Sequence, residues 1–194
     1  MEKRENRKIR YTKMVIRDSL MELMKNKPIL NIHVKDICEL ADISRSSFYD
    51  HYKDQYDLLR QIEDESLAYL ENLLENYEDK RSKAYLAEMV EEVLTYIVNN
   101  NFIQVLLSEH GNIDFQKKIF RHFTLQKQIV KLFSGKIQDS ETKDYYYVFV
   151  LNGTIGMIQH WIKNNMNTPV PKLAKMILKW TEQQIDFTLK LLVI

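Results

Sequence analysis

The amino-acid sequence predicts an all-α fold, and its composition and patterning support this. The chain has 194 residues but only four glycines and three prolines, whereas strand-rich folds need many turns built on these two residues. Leu, Ile, Lys and Glu are abundant, which favours helices. Apolar residues recur at spacings of three and four, as they do on one face of a helix. A chain of this length can bury one or two hydrophobic cores.

Several classes of protein are disfavoured by the composition. The single cysteine, Cys38, cannot form an internal disulfide or build a zinc site by itself, so we expect an intracellular protein in which Cys38 is a buried apolar residue. The first residues, MEKRENRKIRYTK, lack the apolar segment of a signal peptide. No uncharged apolar run approaches the roughly 20 residues that a membrane helix needs. We therefore predict a cytoplasmic protein that does not enter a membrane.

Positive charge is concentrated at the start of the chain. Residues 1–17 contain seven Lys and Arg against two Asp and Glu, although the net charge of the whole chain is only +1. Such a cluster is typical of a segment that meets a polyanion. A solvated, frayed terminus has the same composition, and charge alone does not separate the two interpretations.

The first helix is predicted at about residues 6–25. It should end before Pro28, because proline disfavours helix in the residue before it. Its buried stripe is expected to contain Ile9, Ile16, Leu20 and Leu23.

Two short helices are predicted next, at 34–41 and at about 45–51, joined by the turn ADIS. Ser44 is the expected N-cap of the second, and Asp54 caps a longer helix that follows. Two short helices joined in this way predict a helix-turn-helix. The small core beneath it should contain Val34, Ile37, Cys38, Ile43 and Phe48.

Helices are predicted to continue to the C-terminus, with Asn101 as an N-cap and Gly111 as a C-terminal cap. The helix at about 141–166 and the last helix are apolar over much of their circumference. This favours a four-helix bundle with a second copy of the chain, although two buried core helices are the alternative. The expected dimer seam consists of Val148, Leu151, Ile155, Ile158, Ile162, Leu173, Ile177, Trp180, Gln184, Phe187 and Leu191.

The segment 43–59, ISRSSFYDHYKDQYDLL, is the candidate DNA-reading surface. A helix-turn-helix presents the start of its second helix to the major groove, where Arg can bond guanine and Ser several base edges. Phenol, imidazole and ammonium groups further along can reach phosphates. Tyr52 is expected in the core. The expected DNA-binding residues in the helix-turn-helix, at 33–52, and just after it are Lys35, Ser44, Arg45, Ser46, Ser47, Tyr49, His51 and Lys53.

The segment TKMVIRDSLMELMKNKPILNIHVKDICELADISRSSFYDHYKDQYDLL resembles the DNA-binding domain of the TetR/AcrR family of transcriptional regulators. The resemblance covers about residues 8–60. The later segment YYYVFVLNGTIGMIQHWIKNNMNTPVPKLAKMI is similar to a C-terminal region of such regulators. The matching positions of the first segment are Val34, Asp36, Ile37, Ala41, Ile43, Ser44, Ser47, Phe48, Tyr49, His51, Tyr52, Leu58 and Leu59.

The resemblance implies an all-helical homodimer with a DNA-binding domain at 6–66 and a ligand-sensing and dimerisation domain at 67–194. Ligand binding is expected to change the spacing of the two DNA-binding heads. Two positions depart from the family pattern: Asp42 replaces the usual turn glycine, and Gln55 replaces a lysine that meets a DNA phosphate in the family. We therefore include Gln55 among the expected DNA-binding residues and expect modest non-specific affinity.

Candidate ligand-binding residues follow from aromatic side chains at helical spacing, a pattern that also fits an ordinary core. The sequence has no Cys or His residues at metal-ligand spacing, so we do not predict a metal site. It also has no phosphate-binding loop and no nucleophile elbow, so we do not predict an enzyme. No cofactor is expected. The candidate ligand-binding residues are Phe102, Leu106, Phe123, Tyr146, Phe149, His160 and Trp161.

The predicted function is a DNA-binding transcriptional regulator. Its expected partners are a double-stranded DNA operator, a second copy of the chain and an unknown small-molecule effector. A homodimeric repressor of a palindromic operator, released by that effector, is the main prediction. A TetR-like activator or a regulator controlled by a partner protein is the alternative, which Gln55 and the low overall charge leave open.

Overall fold

A computed structural model describes residues 2–75, 77, 83–125 and 139–192, with side chains at 7–75, 77, 84–119 and 139–183. These ranges contain helices and connecting turns but no strand, so the prediction of an all-α fold is confirmed. A 3-10 turn, Ile29–Asn31, lies between the first two helices. The α-helices are α1 (Glu2–Met24), α2 (Val34–Ala41), α3 (Arg45–Tyr49), α4 (Gln55–Glu75), α5 (Lys83–Asn99), α6 (Asn101–Leu107), α7 (Ile113–Leu125), α8 (Ser140–Lys163) and α9 (Val170–Leu192).

The basic N-terminal segment forms the first turns of α1, which begins at Glu2 and ends at Met24. Ile16 and Leu20 are fully buried, as the apolar stripe predicts. Ile9 is 41% exposed, so the prediction that it continues this stripe was wrong. The buried contacts of α1 begin further along the helix, where it packs against α2, α4 and α6.

The turn between α2 and α3 has the geometry that its residues favour. Asp42 adopts the left-handed conformation, with φ 52° and ψ 50°, and Asp tolerates this conformation better than most residues. Ser44 is the N-cap of α3, because its Oγ accepts a hydrogen bond from the Ser47 N–H at 3.1 Å. The predicted bounds of α2 are confirmed, whereas α3 ends at Tyr49 rather than at residue 51.

The long helix α4 starts as predicted, because the Asp57 N–H donates to Asp54 Oδ1 at 2.7 Å. It then runs without a break to Glu75. Buried residues along it contact both ends of the molecule, so α1–α3 (the head) and α5–α9 (the body) share one hydrophobic core. The proposed division between residues 66 and 67 therefore falls inside a continuous helix.

The connection between α5, α6 and α7 differs from the prediction in two details. Asn100 rather than Asn101 is the N-cap of α6, since its Oδ1 accepts from the N–H groups of Phe102 and Ile103. Gly111 is not a left-handed helix cap, because no glycine in the described residues has a positive φ. Glycine is needed there for space: a Cβ atom would lie 2.0 Å from the Leu106 carbonyl oxygen.

The last two helices form an antiparallel pair in which α8 begins at an Asp139 cap. The turn between them contains Asn165 and Met166, both with φ of 54°, and the Trp161 indole N–H donates to the Thr168 carbonyl oxygen at 2.8 Å. Among the described helices, none is long and apolar enough to cross a membrane.

Candidate nucleic-acid interface

The start of α3 is an exposed, polar surface on a fixed scaffold. Arg45 and Ser46 are exposed, and none of the ion pairs among the described residues involves Arg45. The hydroxyls of Ser44 and Ser47 lie 3.0 Å apart. Because the Ser44 oxygen also accepts from the Ser47 backbone, these two hydroxyls are partly used in capping, and Arg45 and Ser46 are the freest polar groups.

The opposite side of α3 packs against the rest of the head. Phe48 is fully buried and Tyr52 is 4% exposed, which confirms that Tyr52 lies in the core. Cys38 is also buried, and burial raises the pKa of its thiol, so it is an apolar core residue as expected. Tyr49 packs edge-on against the Phe48 ring, with centroids 5.6 Å apart, while 57% of its surface stays exposed. Its hydroxyl is thus carried on a ring held against the core.

The predicted phosphate-contacting residues follow α3 closely in space and sequence. Lys53 is exposed, and His51 and Gln55 are half-buried. Gln55 is the first residue of α4 and lies between two acidic residues, Asp54 and Asp57. The Lys53 N–H donates to Asp57 Oδ2 at 3.1 Å, and this hydrogen bond is the main reason that the pKa of Asp57 lies below its usual value. Position 55 therefore lies in an acidic setting.

Additional positive charge comes from α1 and α2. On α1 the side chains of Arg7, Lys8, Arg10 and Lys13 are exposed. On α2, Lys35 is exposed and pairs with Glu39 at 3.5 Å. These cations lie on α2, which packs against α3, and on α1, which packs against α2. Exposed Lys and Arg side chains of this kind can make sequence-independent contacts with phosphates.

The predicted ligand-binding residues do not all gather around one cavity. Leu106 and Trp161 are core residues at 0% and 4% exposure, whereas Phe149 is exposed. The Tyr146 hydroxyl donates to the Thr181 carbonyl oxygen at 2.7 Å, and burial raises its pKa. Phe102 packs against Arg17 of α1. The side chain of Phe123 lies outside the described residues.

A cleft of about 400 Å³ lies instead where the head meets the body, and we call it the junction cleft. Lys25, just beyond the end of α1, forms one wall. The turn after α6, with Glu109 and His110, and the end of α8, with His160 and Lys163, form the others. His160 is thus the only residue of the predicted ligand set, as far as the described side chains go, that lines it.

Five of the eleven residues of the predicted dimer seam are internal to one chain. They are buried at 8% exposure or less, so they are not available to a partner: Leu151, Ile155, Ile158, Leu173 and Ile177. Ile162 is half-buried, and Val148 and Trp180 are exposed. The side chains of Gln184, Phe187 and Leu191 lie outside the described residues.

The other side of α8 is the exposed one, and we call it the α8 face: Tyr145, Phe149, Gly153 and Gly156. Tyr145 and Phe149 are 71% and 59% exposed, and a Cβ atom at either glycine would meet nothing within 4 Å. A second cleft, of about 460 Å³, lies between Gly156 and Trp180 and is lined by two residues of the predicted ligand set, His160 and Trp161.

Comparison with protein families identifies the chain. A family model described as the C-terminal region of TetR-type transcriptional regulators matches residues 84–183, more than half of the chain. The chain belongs to the TetR/AcrR family of transcriptional regulators. No curated protein sequence matches it.

Solved structures show the same fold as this TetR-family chain. A TetR transcriptional regulator from Streptococcus agalactiae is 20% identical, with a TM-score of 0.66 over 94% of this chain and 99% of that one. FadR from Bacillus subtilis, solved in complex with stearoyl-CoA, is 17% identical, with a TM-score of 0.63 over 87% and 97%. The dihydroxyacetone kinase operon activator DhaS is 19% identical, with a TM-score of 0.53 over 91% and 97%.

Sequence analysis of this TetR-family chain missed two polar contacts between helices. Arg17 bridges α1 to α4 and α6. Gln116 is 1% exposed and donates to the carbonyl oxygens of Leu106 and Ser108, while its own oxygen accepts from Gln159 Nε2 at 3.1 Å. An Arg on a charged helix and a Gln between Phe115 and Lys117 give no signal in a sequence that they have partners on other helices. Among the described residues no cluster of metal-ligating side chains occurs.

Proposed function

We propose that this protein is a homodimeric repressor that binds a palindromic operator and is released from it by a small molecule. The observation that carries the DNA-binding part is the exposed Arg45–Ser46 pair at the start of a capped recognition helix. A helix start placed in this way can enter the major groove. Membership of the TetR/AcrR family supports transcriptional regulation as the setting.

The roles of the individual residues follow from their placement. Arg45, with Ser46 and Ser47, is assigned to base edges, where a bidentate Arg–guanine contact is the most selective available. Tyr49, His51, Lys53 and the Gln55 side chain are assigned to phosphates, as are Lys35 and the α1 cations. In this proposal residues 6–66 form the DNA-binding domain and residues 67–194 the sensing and dimerisation domain.

The α8 face is the proposed dimer interface, in place of the buried seam. Exposed aromatic rings next to two glycines let a second helix approach closely without steric conflict. A twofold dimer built on this face uses the same surface in both copies. Two recognition helices related by that twofold axis read two inverted half-sites, which is why a palindromic operator is expected.

An effector is proposed because the fold accommodates one in a relative. FadR from Bacillus subtilis is solved with stearoyl-CoA bound, and the present chain has its own cleft at the junction of head and body. A ligand that prefers one spacing of the two heads shifts the population toward that state and so changes operator affinity.

An activator, or a regulator controlled by a partner protein, is the second candidate. The fold does not decide the sign of regulation, since the similarly folded DhaS is an operon activator. Gln55 also lacks the positive charge of the lysine that the family has at this position, which favours weaker binding to DNA phosphates.

Selection of genomic fragments bound by the purified protein tests DNA binding and yields the operator together. We expect one enriched inverted repeat. Arg45→Ala should weaken binding to that repeat by about 1–3 kcal/mol and relax the preference at one base of each half-site. Arg60→Ala removes an exposed arginine of α4 that pairs with Asp57 and serves as the control. Enrichment of random fragments only, or equal affinity of the Arg45→Ala variant, would contradict the assignment.

A further inference from the structure

We propose that the junction cleft binds a small organic anion with a short apolar part, and that the bound anion ties the head to the body. The site rests on the cleft itself. Its consequence for DNA rests on the proposed function, and the two parts are tested separately below.

The charge of the cleft favours an anion. Its lining includes the ammonium groups of Lys25 and Lys163 and the imidazoles of His110 and His160, against one carboxylate, Glu109. No hydrogen bond or ion pair of either imidazole side chain occurs among the described residues. Each lysine is in an exposed ion pair, Lys25 with Glu22 and Lys163 with Glu109, so among the described side chains the two imidazoles are unpaired donors of the lining. An anion can bind these donors and exchange with the exposed carboxylates, and charge-assisted hydrogen bonds to an anion are stronger than neutral ones.

Lys163 is held at the mouth of the cleft in a position from which it can exchange partners. Its Nζ lies 3.2 Å from Glu109 Oε2, and both side chains are more than 60% exposed. An exposed ion pair of this kind contributes little to stability. A carboxylate or phosphate entering the cleft can therefore take the place of Glu109 at small cost.

The interior of the cleft limits the rest of the ligand. Two of its polar side chains already have hydrogen-bond partners. Gln104 Nε2 donates to the carbonyl oxygens of Ile97 and Val98. Ser108 Oγ donates to the carbonyl oxygen of Val105. Val105 and Ile162 supply apolar surface. A volume of about 400 Å³ lies at the small end of ordinary ligand sites, so an anionic group on a short alkyl or aromatic body is the class that fits.

The position of the cleft allows a bound ligand to connect the head to the body. Lys25 directly follows α1 in the head, whereas His160 and Lys163 belong to α8 in the body. His160 also lines the second cleft, beside the α8 face. One anion bridging Lys25 and His160 would therefore connect the DNA-binding head to the helix that is proposed to carry the dimer interface.

Calorimetric titration of the full-length protein tests the site without any DNA. The first probe is octanoate, which has an anionic group and an alkyl chain. The second is octan-1-ol, which has the alkyl chain without the charge, and the third is inorganic phosphate, which has the charge without the chain. We expect octanoate to bind at least about tenfold more tightly than either of the others, since losing a hydrogen bond to a charged group costs about that factor.

Variants locate the octanoate. His160→Gln and Lys25→Gln should each weaken octanoate binding about tenfold, whereas Lys118→Gln, which removes a cation paired with Asp64 outside the cleft, should leave it unchanged. Hydrogen exchange on the unmodified protein gives a second measurement that needs no variant. Octanoate should slow exchange of the backbone amides at the end of α1 and at the end of α8 together.

The outcomes separate the two proposals. No octanoate binding, binding unaffected by His160→Gln and Lys25→Gln, or protection of α8 without α1 would overturn the junction site. If octanoate binds as expected but the protein selects no DNA sequence, the site stands and the proposed function fails. If both hold, octanoate should change operator affinity in the unmodified protein and not in the His160→Gln variant.

Discussion

The guanidinium of Arg17 on α1 lies 5.4 Å from the centroid of the Phe102 ring on α6. The same guanidinium forms an ion pair with Glu65 on α4, at 2.6 Å. One side chain of the head thus contacts both the helix that leaves the head and a helix of the body. The Arg17 side chain therefore links α1 to both α4 and α6.

Removing this side chain should loosen the junction between head and body. We expect Arg17→Ala to lower the free energy of unfolding by about 1–2 kcal/mol, because a partly buried cation–π contact and an ion pair are both lost. Urea denaturation followed by circular dichroism measures this. Arg60→Ala breaks the looser ion pair with Asp57, in which Arg60 is 65% exposed, and should cost less than about 0.5 kcal/mol. Equal losses in the two variants would mean that Arg17 has no special role.

The charge that is missing at the start of α4 can be restored by Gln55→Lys. If position 55 meets a phosphate, the slope of log affinity against log salt should steepen by roughly one unit per DNA-binding head. Fluorescence anisotropy with operator DNA across a salt series gives the slope. Asn99→Lys adds the same charge to an exposed position at the end of α5 and should leave the slope unchanged. A flat response to Gln55→Lys would place residue 55 away from the DNA.

The α8 face can be tested by placing a charge on it. Phe149 is mostly exposed in the single chain, so Phe149→Glu should not disturb the core. It should convert a dimer to a monomer, because burying an unpaired carboxylate in an interface is unfavourable. Light scattering at micromolar concentration measures the mass. Ile113→Glu alters a similarly exposed apolar residue at the start of α7 and should remain dimeric. A monomeric unmodified protein would remove the interface altogether.

The head should lose stability in acid through Asp36. The His33 N–H donates to Asp36 Oδ2 at 3.1 Å, and Lys27 Nζ lies 3.2 Å from the same oxygen. The hydrogen bond from His33, followed by that from Lys27, holds the pKa of this carboxyl below its usual value. Because the folded-state pKa is the lower one, the stabilisation is complete above the unfolded-state pKa of about 3.9 and disappears as pH falls through the folded-state value.

Urea midpoints of the Asp36→Asn variant across this range test the assignment. At pH 7 the variant should be less stable than the unmodified protein, and the difference should shrink as the pH approaches 3. Asp18→Asn, at an exposed position of α1, should show neither effect. A difference that stays constant with pH would mean that the Asp36 charge does not stabilise the head.

Local chemistry explains why the head was largely predictable. Ser44 and Asp54 are caps whose side chains bond to amides three residues ahead, and Asp42 is a turn residue that tolerates a positive φ. These preferences act within a few residues, so they can be recognised in a sequence. In the body the same local reasoning is off by one residue: Asn100 caps α6 in place of Asn101, although the two side chains are equally good caps on chemistry alone.

In the body, local sequence patterns do not decide which surfaces the helices pack against. The spacing of Leu151, Ile155 and Ile158 correctly indicates an apolar stripe, but a stripe has the same pattern whether it packs inside one chain or against a second. Packing against the remainder of the same chain buries these three, and the opposite side, with Phe149, is left exposed. The need for glycine at position 111 likewise comes from the close approach of its backbone to the Leu106 carbonyl. The periodicity of the sequence does not reveal this contact.

The amino-acid sequence by itself determined the all-α class, the capped helix-turn-helix and the exposed Arg45 at its start, because these depend on interactions between residues close in the chain. Only the tertiary structure decided which side of α8 stays free, that Arg17 joins three helices, and that Lys25 faces His160 and Lys163 across a cleft. The physical reason is that these features depend on distances between residues far apart in the chain, which side-chain packing sets.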